Sequence, residues 1–144
     1  TNVRCGIGSP VTDINKWHLS FKEAGLALEM ATKLKEGKPY YYPDLSVYRL
    51  LLLLEDNPEL NYFLKDVLGS LLLDNKQDNL IETLEAYFKN NSNISKTAET
   101  LFIHRNTLSY RLDKIKNITG MDLNNPETAL AVNLALKIYR ISPN

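Results

Sequence analysis

The chain has 144 residues, and its 17 Lys and Arg balance 17 Asp and Glu. That length predicts one domain or two small ones, while 44% hydrophobic and 24% charged residues exclude wholesale disorder. Zero net charge excludes a nonspecific polycation, and a lone cysteine, Cys5, excludes an internal disulfide framework and a cysteine-based zinc site.

Val3–Gly8 is apolar-leaning and runs into Gly-Ser-Pro, which predicts a strand and a turn. Gly6 and Gly8 make no dinucleotide fingerprint, because no third glycine opens the next helix. Trp17–Lys35 is a predicted helix with Leu19, Leu26, Met30 and Leu34 at helical spacing, stopped by Gly37 and Pro39. Tyr40–Tyr42 predicts one short strand. Asp44 is placed to cap a helix carrying Leu50–Leu54. That run is the longest apolar one, far short of the roughly 20 residues of a membrane span. Pro58 opens another helix, with Leu60, Phe63, Leu64, Val67 and Leu68 on its apolar side and breaks expected at Gly69 and Asp74-Asn75.

Everything after Asn75 is expected to be helical. Leu80, Leu84, Tyr87 and Phe88 form one stripe, Ile94–Phe102 a short helix capped by Asn93, and Arg105–Ile118 a longer one closed at Gly120. Pro126 opens a last helix with Leu130, Leu134 and Ile138 along one side. The fold class expected is mainly α. A helix-turn-helix bundle follows a truncated α/β remnant with about two short strands. Two strands cannot make a stable sheet alone, so the first part is expected to be the tail of a larger α/β domain.

Charge is uneven. Within Asn93–Ile118, Lys96, Arg105, Arg111, Lys114 and Lys116 outnumber Glu99 and Asp113. In this window Ile94, Ala98 and Leu101 are expected to be buried, Ile103 to plug the angle between two helices, and Leu108, Leu112 and Ile115 to line the second helix. A helix-turn-helix needs this layout: one helix braces, and the other offers polar and basic side chains to a major groove about 12 Å wide. Arg105, Asn106, Thr107, Ser109, Tyr110, Arg111 and Lys114 are the candidate DNA-facing residues of the second helix. Ser95, Lys96 and Thr97, at the start of the bracing helix, are candidates for phosphate. His104 has two readings, a cap for the second helix or a phosphate contact. Arg111 is also placed to pair internally with an acidic side chain, and Tyr110 to fill a gap between helices.

The run Thr97–Ile115, T-A-E-T-L-F-I-H-R-N-T-L-S-Y-R-L-D-K-I, resembles the C-terminal DNA-binding motif of PucR/CdaR-type bacterial regulators, the purine-catabolism and sugar-diacid group. The likeness extends to Leu80–Glu85 and to Thr119–Leu123. The segment is also similar to the Fis-type helix-turn-helix, with Arg105, Thr107 and Leu108 on its pattern. Upstream, Ile7–Pro10, Ser20–Ala24, Ala27–Glu29 and Tyr48–Leu51 resemble the end of the degenerate GGDEF-like domain of these regulators, although no GGDEF signature is present.

The resemblance implies a GGDEF-like remnant at 1–56, a connecting helix at 57–75 and a DNA-binding domain at 76–144. It implies sequence-specific binding of duplex DNA with residues 105–118 in the major groove, no catalysis, no cofactor and no metal. A homo-oligomer, a cytoplasmic location and a small-molecule effector bound further toward the N-terminus complete the expectation, with no membrane partner. The rival reading is a protein-interaction module in which the helix pair only packs.

Overall fold

The computed structural model describes residues 3–73 and 79–142. Two compact units divide the chain, one formed by residues 1–57 with 138–144, the other by residues 58–137.

The first unit is built on a βαβ arrangement. Strand β1 (Gly6–Ile7) pairs in parallel with β2 (Tyr40–Tyr41), Gly6 opposite Tyr40 and Ile7 opposite Tyr41, and helix α1 (Trp17–Leu34) connects them. The regular strand is thus shorter than the expected Val3–Gly8. Parallel pairing requires such a crossover, since a tight turn cannot reverse the chain twice. The seam between β1 and α1 is tight. A Cβ on Gly6 would lie 2.2 Å from the Leu28 nitrogen, and one on Gly8 would lie 2.0 Å from the Ser20 carbonyl oxygen.

Small residues of the helix, Ser20, Ala24 and Ala27, meet the strand at this seam. Ala27, Met30 and Ala31 are the buried positions of α1, whereas Leu19 of the expected stripe is exposed. Lys35 ends the helix in the left-handed region at φ 53°, its N–H donating to the Ala31 carbonyl. Helix α2 (Val47–Leu53) begins after Ser46, whose side chain makes no capping hydrogen bond, and the expected cap Asp44 lies in a 3-10 turn over Tyr42–Leu45. Of the Leu50–Leu54 run only Leu51 is fully buried, while Leu50, Leu53 and Leu54 are exposed.

In the second unit α3 (Pro58–Leu73) starts at its proline and runs through Gly69 without a break, burying Leu64, Leu68 and Leu71. A single glycine weakens a helix by only about 1 kcal/mol, and the three leucines around it outweigh that. The break expected at Asp74-Asn75 lies outside the described residues. Helix α4 (Leu80–Lys89) buries Leu80, Thr83, Leu84, Ala86 and Tyr87. Helices α5 (Ile94–Thr100) and α6 (Arg105–Thr119) follow, and α6 packs against α3, α4 and α5. Helix α7 (Pro126–Ile141), whose last four residues count with the first unit, buries Val132, Ala135, Leu136, Ile138 and Ile141 and leaves Leu130 of the expected stripe 64% exposed. Its sequence from Ala129 to Leu136 is apolar on nearly every side, so spacing alone could not choose the face.

Candidate nucleic-acid interface

The turn into α5 is set by local chemistry. Helix α4 ends with Asn91 and Ser92 at φ 52° and 59°, where the Asn91 N–H donates to the Phe88 carbonyl and the Ser92 N–H to the Tyr87 carbonyl. These two bonds make a Schellman turn, with Asn91 at the left-handed position that Asn tolerates. Asn93 then caps α5, its Oδ1 accepting from the Lys96 N–H at 3.0 Å.

A second Schellman turn closes α5. The Phe102 N–H donates to the Glu99 carbonyl and the Ile103 N–H to the Ala98 carbonyl, with Phe102 at φ 54°. Ile103 is half-buried and Ala98 is buried at the crossing, as expected, while Ile94 is 43% exposed and outside the core. His104 caps α6, its Nδ1 accepting from the Asn106 N–H at 3.2 Å, which gives it the capping role of its two readings. Gly120 closes α6 at φ 70°, its N–H donating to the Lys116 carbonyl.

Leu108 and Ile115 are the fully buried residues of α6, and Arg111 and Leu112 are half-buried beside them. The exposed polar set lies at the start of the same helix. Arg105, Asn106, Thr107, Ser109 and Tyr110 are all exposed within the first two turns. On α5, Lys96 is exposed and Ser95 half-buried. Lys114 is half-buried and has a polar partner.

Two candidates occupy other places. Thr97 is 0% exposed, and its hydroxyl donates to the Asn93 carbonyl at 2.7 Å, so its side chain belongs to the interior. Arg111 turns inward instead of outward: its Nη1 donates to the Thr83 hydroxyl of α4 at 3.2 Å. Among the described residues the internal partner of Arg111 is this hydroxyl. Asp113 is exposed and three to four residues from Ser109 and Tyr110, which places a negative charge on the same face one turn later. Sequence reasoning passed over Thr83, because a threonine inside an apolar stripe carries no signal of the partner it meets.

Among the described residues no group of three or more His, Cys, Asp and Glu is placed to hold a metal ion, and no helix is long and apolar enough to cross a membrane. Residues 80–138, from the start of α4 into α7, match the family model of the PucR C-terminal helix-turn-helix domain. This segment belongs to the PucR helix-turn-helix family.

Relatives agree with that placement. The chain is 35% identical over 97% of its length to the proline-responsive transcriptional activator PutR of Bacillus subtilis. It is 37% identical over 71% of its length to the purine catabolism regulatory protein of the same organism. It is also 36% identical over 74% of its length to the carbohydrate diacid regulator of Escherichia coli. The aligned stretches span 35%, 19% and 27% of those three relatives. The PucR-type match covers α4, α5 and α6 and runs into α7.

Proposed function

We propose that the chain binds duplex DNA in a sequence-specific manner, as part of a bacterial transcriptional regulator of the PucR type. The observation that carries this reading is the exposed polar face of the first two turns of α6, seated over the buried Leu108–Ile115 seam. Arg105 and Asn106 have the side chains that pair bidentately with guanine and adenine. Ser109 and Tyr110 flank them, and Lys96 on α5 is a phosphate contact. Asp113 confines the contact to those turns, because a carboxylate one turn later repels the backbone phosphates. Reading by the N-terminal part of the second helix is the usual docking of this motif.

In the same reading the protein acts without catalysis, as its relatives' names as regulators suggest, and works in the cytoplasm as a dimer on paired half-sites. The effector is a small molecule bound outside residues 1–144, consistent with a relative named as proline-responsive and with the short share of each relative that is covered. Residues 1–56 are the end of a GGDEF-like domain, a reading supported by the parallel βαβ unit. Residues 76–144 form the DNA-binding domain.

The test is selection of bound sequences from a pool of random duplexes, followed by salt titration on the selected and a scrambled duplex. Preference for the selected duplex, with log affinity falling linearly against log salt, is the expected result. A chain that retains no duplex at any salt is a packing module, and the reading fails.

A further inference from the structure

We propose that Phe102 is a DNA-contacting residue that reads a thymine methyl group at the mouth of the recognition helix, an inference that rests on the DNA reading of α6. Phe102 occupies the left-handed position of the Schellman turn between α5 and α6, two residues before the His104 cap. Glycine is the usual occupant there, because a Cβ is disfavoured at positive φ. Six non-glycine residues among those described have positive φ: Lys35, Ser46, Asn79, Asn91, Ser92 and Phe102. Phe102 alone of these is bulky and apolar, the kind of side chain for which this conformation is a real outlier.

Its ring gains nothing from the fold in return. Phe102 is 95% exposed, the most exposed large hydrophobic side chain among the described residues, whereas its neighbours Leu101 and Ile103 are both half-buried. The residue therefore carries backbone strain and an exposed aromatic ring together, at a position where glycine would remove both. Local rules broken without compensation in the free protein mark positions kept for binding. The location selects the ligand. The turn leads directly into Arg105 and Asn106, so whatever approaches the first turn of α6 also approaches Phe102. In a major groove the apolar feature is the thymine methyl, a known partner of phenylalanine.

The experiment compares the whole chain with Phe102→Gly, Phe102→Asn and Phe102→Leu on a duplex selected by the wild type, on a scrambled duplex, and on selected duplexes with single thymines replaced by uracil. Phe102→Gly and Phe102→Asn are expected to melt at or above the wild-type temperature, since both residues tolerate the left-handed region. They are expected to lose about tenfold in affinity for the selected duplex while binding the scrambled one as before. Phe102→Leu is expected to keep most of the affinity. One uracil substitution is expected to weaken the wild type several-fold and to leave Phe102→Asn unaffected. Asparagine shares the turn preference, so its loss of affinity cannot come from a loosened turn. If Phe102→Asn binds the selected duplex as tightly as wild type, or loses equally on both duplexes, or if no uracil position is felt, the proposal is wrong while the DNA reading stands. If the wild type selects no duplex, both fall.

Discussion

Arg111 and Thr83 stand 28 residues apart in sequence and meet at 3.2 Å, the guanidinium of α6 donating to a hydroxyl that is 0% exposed on α4. The Thr83 hydroxyl in turn donates to the Asn79 carbonyl at 2.9 Å, so one buried oxygen links the start of α4 to the middle of α6. A hydrogen bond to a charged donor contributes more than a neutral one, about 1.5–3 kcal/mol. Thr83→Val keeps the shape and removes the oxygen, and is expected to lower stability by about 2 kcal/mol. Arg111→Ala should cost a similar amount. Because the two act through one bond, the double variant should cost less than the sum of the singles. Urea unfolding of the four proteins checks this, and full additivity would mean the bond contributes nothing. If Arg111→Ala instead leaves stability intact and weakens DNA binding, Arg111 faces DNA after all.

Glycines in the first unit give a pair of opposite effects. A Cβ on Gly8 would stand 2.0 Å from the Ser20 carbonyl oxygen, and backbone cannot step aside as a flexible side chain can. Gly8→Ala is therefore expected to destabilise this unit by about 3 kcal/mol, the upper end of ordinary overpacking. Gly25 lies inside α1 with nothing within 4 Å of its added Cβ, so Gly25→Ala should stabilise by about 0.5–1 kcal/mol. Trp17, the single tryptophan, sits at the start of α1, and its fluorescence during urea unfolding reports on this unit.

The local parts of the interface were legible in the sequence because local chemistry sets them. Asn93 as a cap, Gly120 as a left-handed stop, and Leu108 and Ile115 at helical spacing follow from rules that need no tertiary knowledge, and the structure has all of them. What escaped depends on neighbours distant in sequence or on backbone placement. Thr97 looks like a polar start to a helix, yet Ala98 beside it marks the crossing with α6, and both are buried. The Leu50–Leu54 run looks like core, but a helix of seven residues turns only part of its surface inward, and Leu51 takes that place. Phe102 was invisible as an unusual residue, since a composition-based reading has no reason to put an aromatic ring where glycine belongs.

Acid and alkali should both weaken the first unit, through one cluster. The Tyr40 hydroxyl donates to Glu36 at 2.9 Å, and Lys38 and Arg140 pair with the same carboxylate. The Lys38 hydrogen bond, helped by Tyr40 and Arg140 and opposed by burial, holds Glu36 below its ordinary 4.5. Burial first, and then Glu36, push Tyr40 above its ordinary 10.0. A depressed carboxylate contributes stability that is present above its unfolded pKa and lost as pH falls through the folded value. A raised tyrosine contributes stability that is present below its unfolded pKa and lost as pH rises toward the folded one. Stability followed by Trp17 fluorescence should thus show a plateau between about pH 5 and pH 9 and decline on either side. Glu36→Gln should shrink the acid limb and Tyr40→Phe the alkaline one. An unchanged acid limb in Glu36→Gln would assign that decline to other carboxylates.

Reading and positioning can be separated with two exposed cations. Arg105 opens α6, one residue beyond the His104 cap, where a side chain reaches base edges if the helix enters a groove. Lys96 stands near the start of α5, exposed, with its N–H already held by Asn93, so only its ammonium is available to DNA. Arg105→Ala is expected to cost about 1–3 kcal/mol on a selected duplex and much less on a scrambled one, which collapses specificity. Lys96→Ala is expected to weaken both duplexes nearly equally and to lower the salt slope by about one counterion. Both residues are exposed, so stability should change by no more than about 0.5 kcal/mol in either variant. Binding of each variant to both duplexes across a salt series gives the answer. Equal loss on both duplexes for Arg105→Ala would make it a phosphate contact. No change in either variant would mean that DNA is met by a different surface, and the face of α6 would then have to be explained by a protein partner.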